Sequence, residues 1–253
     1  MDGTVGGGGH SVELGKALPP GARLVCLDRD PEAVCLSGKR LGFLDDKVTL
    51  VQANFADIDQ VLEGLGVDKV NGALLDLGMS SYQLDKSGRG FSFSRDEPLD
   101  MRMDPGIESS ARDLVNRLSR EELEATLRIY GEEKKAKSIS RAIVKARAEK
   151  RINTTRQLAS LIESVFPPSQ RRSRIHVATR SFQALRIAVN RELENLETFL
   201  EKIPSLMDKG GRLVVLSYHS LEDRIVKRAM AGWSKGCSCP PDFPVCICGG
   251  SPL

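Results

Sequence analysis

Four short apolar runs alternate with helix-compatible stretches, and that alternation narrows the fold more than any other property of the chain. Arg23-Leu-Val-Cys-Leu-Asp28, Lys47-Val-Thr-Leu-Val-Gln52, Gly72-Ala-Leu-Leu-Asp-Leu77 and Gly211-Arg-Leu-Val-Val-Leu-Ser217 are nearly continuous in apolar character, as strands covered on both faces are. Helix-compatible sequence fills about 31–41, opened by Pro31 and closed by Gly42, and about 56–64. Strands separated by helices predict parallel βαβ units in a doubly wound sheet. The expected class is α/β.

The alternation stops after residue 77. Residues 78–110 are rich in Gly, Ser, Asp and Pro, too long for an idle connection and so expected to be functional. Beyond them Ile139, Ala142, Ile143 and Ala146 recur at i, i+3, i+4 and i+7, while Phe182, Leu185, Val189, Leu193, Leu196 and Leu200 step by threes and fours. That period is helical, and Pro167-Pro168 separates the two helical regions. The expected organisation is an all-helical domain, 106–195, inserted into an α/β domain made of 1–105 and 196–253.

With 253 residues, 40% hydrophobic and 28% charged, the chain has the composition of a globular protein. No run approaches the roughly 18 apolar residues of a membrane helix, and no basic flank with an apolar core marks a signal peptide. Six cysteines in so long a chain predict an intracellular, cytoplasmic protein with reduced thiols. Four of them, Cys237, Cys239, Cys246 and Cys248, could offer thiolates to zinc, but the C-x-C-x6-C-x-C spacing is not a usual structural one. Ordinary thiols in a Pro/Gly-rich tail are the other reading.

The whole chain has 37 basic and 34 acidic residues, a net of only +3. Residues 111–190 hold 18 of the basic and 8 of the acidic side chains, a net of +10, which leaves 19 and 26, a net of −7, for the rest. A basic middle in an acidic frame suggests a module that faces a polyanion, although a solvated helical surface would look similar. Lys134, Lys135, Lys137, Arg141, Lys145 and Arg147 crowd one stretch, with Lys150, Arg151 and Arg156 beyond them. Arg171, Arg172, Arg174 and Arg180 form a second group. Contacts of this kind to phosphates position a nucleic acid without specifying its sequence.

Asp2-Gly-Thr-Val-Gly-Gly-Gly-Gly-His-Ser11 is a glycine-rich turn leading into a helix. Backbone without Cβ approaches a ligand closely and adopts positive φ. Asp28 closes the next strand, 18 residues beyond His10, where a carboxylate can accept both ribose hydroxyls. The pair points to an adenosyl-type cofactor, and no Gly-Lys-Ser/Thr follows to make a phosphate-binding P-loop. A nicotinamide dinucleotide and S-adenosylmethionine both stay open. His10 stands where a pyrophosphate would pack on the helix N-terminus, which favours the second.

Several longer blocks occur in order: the glycine segment 2–11, Leu75-Asp-Leu-Gly-Met-Ser-Ser-Tyr-Gln-Leu-Asp85, Arg89-Gly-Phe-Ser-Phe93, Pro98-Leu-Asp-Met-Arg-Met-Asp104, Tyr130-Gly-Glu-Glu-Lys134, Ala178-Thr-Arg-Ser-Phe-Gln-Ala-Leu-Arg-Ile-Ala-Val-Asn190 and Ser217-Tyr-His-Ser-Leu-Glu-Asp-Arg-Ile-Val-Lys227. Together they resemble the bacterial small-subunit (16S) ribosomal RNA cytosine-N4 methyltransferases, the RsmH/MraW family, over essentially the whole chain. The resemblance implies a class I, Rossmann-like methyltransferase sheet with an inserted helical substrate-recognition domain. It also implies S-adenosylmethionine as donor, a decoding-centre cytidine as target, and ribosomal RNA or the assembled small subunit as partner. By motif position, Gly8, Gly9 and His10 would hold the cofactor in the loop, Asp28 its ribose and Phe55 its adenine, with Asp76 and Gln83 completing the pocket. Asp76 stands independently, since it ends a buried strand where doubly wound sheets bind ligands. The family has a helix and a strand before the glycine loop and a basic segment after the cysteines, whereas this chain runs from Met1 to Leu253. The expectation is therefore a sheet lacking its first strand.

Methylating an exocyclic amine needs a group to accept an N4 proton and no cysteine nucleophile. Asp100, Asp104 and His219, with Ser80 and Ser81, are the candidates. Asp100 and Asp104 flank Arg102, so an ion pair is an equal reading, and His219 before Ser-Leu-Glu-Asp reads equally as a helix-cap neighbour. Two other functions compete: a nicotinamide-dependent oxidoreductase built on the same loop, and a non-catalytic RNA-binding or ribosome-assembly factor.

Overall fold

The computed structural model describes residues 1–171, 175–235, 239, 244, 245 and 248. The chain divides into two compact units, Met1–Gly78 with Leu193–Leu253, and Met79–Glu192. The first unit begins with a glycine loop, then α1 (Gly9–Ala17), β1 (Leu24–Asp28), α2 (Pro31–Leu41), β2 (Val48–Gln52), α3 (Ile58–Gly64) and β3 (Val70–Asp76). The second contains α4 (Ser81–Asp85), α5 (Ala111–Arg117), α6 (Arg120–Gly131), α7 (Ala136–Glu149), α8 (Thr155–Ser164), α9 (Pro168–Arg171) and α10 (Thr179–Asn190). The chain then returns to the first unit through α11 (Glu192–Leu206), β4 (Met207–Leu216) and α12 (Ser220–Lys235).

β1 pairs with β2 and β3 with β4, both in parallel. Leu24, Val25, Cys26 and Leu27 of β1 are all buried, which is why that run carries no polar alternation. The two strand pairs meet across the first residues of the chain. Asp2 bridges Cys26 on one side and Leu74 on the other. Its N–H donates to Val25 O at 2.8 Å and its carbonyl accepts from Leu27, while Gly3 N–H donates to Leu74 O at 2.9 Å. The order is thus β2–β1–(Met1–Gly3)–β3–β4, and the position expected to lack a strand is held by Met1–Gly3. A Cβ on Gly3 would stand 2.5 Å from Leu75 Cδ2, so any larger residue there would have to displace that buried side chain.

Helix starts follow local chemistry. Pro31 opens α2, and the Asp30 carboxylate accepts Glu32 N–H. In the second unit, four capping boxes (Ser80 with Gln83, Ser110 with Asp113, Ser119 with Glu122, Thr154 with Gln157) satisfy the first N–H groups of α4, α5, α6 and α8. Ile58, Leu62, Leu75, Phe199, Leu200 and Ile203 fill one core of the first unit, and Val5, Leu24, Cys26, Leu41 and Leu44 a smaller one.

The second unit packs Leu123, Leu127, Ile139, Ile143, Leu158 and Leu185 around Leu99, Met101 and Met103. Those last three explain where the first division falls. The sequence places the boundaries at 105/106 and 195/196; the structure divides after Gly78 and after Glu192. The irregular stretch 86–110 sends its apolar residues into the helical core. Asn190 clamps it there: its Nδ2 donates to Met101 O at 2.7 Å and its Oδ1 accepts Met103 N–H at 2.8 Å. Met101 itself has φ 61, a conformation that a non-glycine residue keeps only where its surroundings hold it. Among the described residues no helix is long and apolar enough to cross a membrane.

Candidate functional site

In a parallel sheet ligands gather beyond the carboxyl ends of the strands. β1 ends at Asp28 and β3 at Asp76, and the glycine loop touches both. Gly6 N–H donates to Asp28 Oδ2 at 2.9 Å. His10, at the start of α1, places its Nε2 3.3 Å from Asp76 Oδ2. Gly6 (φ 49) and Gly8 (φ 78) need glycine for their backbone conformation. Gly7 and Gly9 do not, and a Cβ on either would meet nothing within 4 Å. Among the described residues nothing requires glycine there, and the space beside both is open.

Asp28 is half-buried, and its Oδ1 accepts a second backbone N–H, from Asp30, at 2.9 Å. Burial pushes its carboxyl up to about 6, against the pull of these two N–H groups. Asp76 is held on three sides. Its N–H donates to Thr4 Oγ1 at 2.6 Å, His10 lies at Oδ2, and Tyr218 OH donates to Oδ1 at 2.6 Å. That last bond keeps the phenol proton in place and pushes the Tyr218 pKa up. Phe55 is half-buried and meets Phe199 edge to face, with ring centroids 5.8 Å apart. Gln83 belongs to the second unit, where it is buried and its Oε1 accepts Ser80 N–H in the capping box of α4.

Beneath the loop is a carboxylate the sequence did not single out. Asp2 is 1% exposed. Its Oδ2 accepts Ser11 OH at 2.6 Å and its Oδ1 accepts Thr4 N–H at 3.1 Å, so it ties the two ends of the glycine segment together. Ser11 Oγ also lies 3.2 Å from Cys26 Sγ. Burial raises the Asp2 carboxyl and pushes the Cys26 thiol up to about 11. The signal was present in the loop motif, which begins with this acid. Tyr218 was missed because its partner lies 142 residues away.

The three candidate proton acceptors sit in different settings. Asp100 accepts from Arg102 Nε at 2.7 Å and Nη2 at 2.9 Å. Burial raises its pKa, but these bonds outweigh it and hold the carboxyl below its usual range. Asp104 accepts Gly106 N–H through Oδ1 at 2.8 Å, shaping the turn that follows. His219 immediately precedes α12; its Nδ1 accepts Glu222 N–H at 3.4 Å. Its Nε2 lies 3.1 Å from Glu222 Oε1, without the alignment of a hydrogen bond. Ser80 is the N-cap of α4, and Ser81 is that helix's first residue.

The basic residues divide by what they touch. Lys137, Arg141 and Lys145 are exposed and spaced by four on α7, hence on one face, with Lys134 exposed just before the helix. Arg147 instead donates to Val115 O at 2.7 Å and Leu118 O at 2.5 Å. Lys135 stands 4.3 Å over the Phe166 ring. Arg171 donates to Phe166 O at 2.8 Å, and Arg180 is exposed on α10. Arg172, Arg174, Cys237 and Cys246 lie outside the described residues. Among the described residues no group of three or more His, Cys, Asp or Glu is arranged to hold a metal ion.

A family profile described as MraW methylase family matches residues 1–253. The chain is 48% identical over 248 residues to a protein of Desulfosudis oleivorans, covering 98% of this chain and 80% of that one. It is 50% identical over 252 residues to one of Syntrophotalea carbinolica, covering 100% and 80%. A third, from Citrifermentans bemidjiense, is 49% identical over 252 residues, covering 100% and 81%. Each of these relatives is named ribosomal RNA small subunit methyltransferase H.

Proposed function

The chain belongs to the MraW methylase family, and from that premise we propose that it methylates N4 of a decoding-centre cytidine in small-subunit ribosomal RNA, in the cytoplasm, with S-adenosylmethionine as donor. One observation carries the reading: a single loop joins two strand-end carboxylates, through Gly6 to Asp28 and His10 to Asp76, with the open glycines 7 and 9 inside it. The charge of this site suits a cationic ligand. Asp28, Asp76 and the buried Asp2 surround the loop with carboxyl groups, which would repel the pyrophosphate of a nicotinamide dinucleotide and attract a sulfonium and an ammonium group.

When bound, S-adenosylmethionine supplies an electrophilic methyl group. Asp28 would hold the ribose hydroxyls, its two oxygens already fixed by the N–H groups of Gly6 and Asp30. Phe55 would lie along the adenine, and Gly8, Gly9 and His10 would line the methionine end, with Asp76 orienting His10. As the cytidine amine gains a methyl group it gives up a proton, for which Asp100, Asp104 and His219 are the candidate acceptors. Asp100 is committed to Arg102 and His219 to the start of α12, whereas Asp104 uses only Oδ1 to shape its own loop. The exposed row Lys137, Arg141 and Lys145 would meet the phosphates.

Calorimetric titration with S-adenosylmethionine and with NAD, followed by transfer of labelled methyl groups to unmethylated small-subunit RNA or particles, tests the reading. Binding of the first ligand and label in N4-methylcytidine are expected. Binding of NAD alone, or full cofactor binding with no transfer to either substrate, overturns it.

A further inference from the structure

Tyr218 has three anchors and an open face. Its OH donates to Asp76 Oδ1 at 2.6 Å, its N–H donates to the buried Glu222 Oε2 at 2.9 Å, and its ring edge passes 3.5 Å from where Gly78 would carry a Cβ. Yet the residue is 67% exposed. Among the described residues no other ring or cation stacks on it. A tyrosine recruited for packing buries its ring and leaves the hydroxyl at the surface. Here the hydroxyl is tied down and the ring is left in water, so the tether gives up side-chain freedom for little apolar burial. An aromatic face held rigid and open is instead what a planar ligand stacks on. The face stands beside Asp76, at the strand ends proposed to hold the cofactor.

We propose that Tyr218 is the platform on which the nucleobase to be methylated stacks, its ring aimed by the bond from its hydroxyl to Asp76. The proposal deepens the methyltransferase reading and rests on it. Every base has a π face, so the platform secures the base without choosing it, and phosphate contacts elsewhere bring the RNA in. Losing one aromatic stacking partner costs roughly tenfold to a hundredfold in affinity for the base.

The test compares Tyr218→Leu, which removes the ring, with Tyr218→Phe, which keeps the ring and removes the hydroxyl. Dissociation constants for S-adenosylmethionine are measured by calorimetry without RNA, and kcat and KM with unmethylated small ribosomal subunits. Tyr218→Leu is expected to raise KM for the subunits about tenfold or more, with cofactor affinity within about twofold of the parent. Tyr218→Phe is expected to raise KM by clearly less than Tyr218→Leu, since the stacking surface survives and only its tether to Asp76 is lost. A parent-like KM in Tyr218→Leu overturns the inference, as does an equal loss in both variants, which would trace the effect to the hydroxyl. If the parent protein neither binds S-adenosylmethionine nor transfers a methyl group, the underlying methyltransferase reading fails first, and that result is distinct from either of these.

Discussion

Asp28 couples the proposed ribose contact to pH in a way that can be worked through. Burial lifts its carboxyl from an ordinary 3.8 to about 6, a change worth about 3 kcal/mol between the two protonation states. A carboxyl raised on folding favours the folded state most below its unfolded pKa, and loses that contribution as pH rises through the folded value. The perturbation is Asp28→Asn, which preserves shape and removes the titration. In urea unfolding, the parent should lose up to about 3 kcal/mol relative to the variant between pH 4 and pH 7. Asp2 is raised in the same direction but is present in both proteins, so the difference isolates Asp28. Cofactor binding should run the other way. If the ionised carboxylate accepts the ribose hydroxyls, only about a tenth of the parent is competent at pH 5, and apparent affinity should fall about tenfold from pH 7.5. Calorimetry with S-adenosylhomocysteine across that range reads this directly. A variant whose binding profile retains the parent's slope, or a parent whose affinity is flat, would refute the reasoning.

Three further outcomes are expected. Replacing Lys137, Arg141 and Lys145 by Gln should lower the salt dependence of RNA binding by about two in the log–log slope; an unchanged slope would remove that face from the interface. Arg186→Ala should cost about 3–5 kcal/mol in chemical denaturation, because Glu192, only 8% exposed at its side chain, loses a two-point partner at 2.8 and 2.9 Å. A parent-like midpoint would show that water reaches the pair. Gly131→Ala would put a Cβ 2.5 Å from Arg180 O and should cost about 1–3 kcal/mol, read from the denaturation midpoint; no shift would mean that α6 and α10 separate freely.

Elements whose causes are local were legible. The run ending at Asp28 is β1, Pro31 and Leu41 bound α2, and Asp76 ends β3, because continuous apolar character and proline act within a few residues. Ile139 and Ile143 are buried on α7 as their spacing requires. The stretch 78–110 was read as loop, and α4 with its Ser80–Gln83 box lies within it, a capping signature hidden among Gly and Ser. What stayed illegible depends on long separations. Asn190 holding Met101 and Met103, Tyr218 on Asp76, and Asp2 between β1 and β3 are each made by the fold, and no periodicity announces them. The basic cluster was legible as charge only: that Arg147 is a strut and Lys137 a free face depends on which carbonyls come near.

The pairing of β3 with β4 has a consequence for how the protein is made. Val70 must wait for Met207 to be translated, with the whole helical unit emerging between them. At roughly 5–20 residues per second that interval is on the order of ten seconds, whereas a helix-rich unit of local contacts folds in microseconds to milliseconds. The inserted unit therefore completes first, and β3 spends those seconds with one edge unpaired. Slow codons within residues 79–192 lengthen that exposure without altering a single contact in the finished molecule.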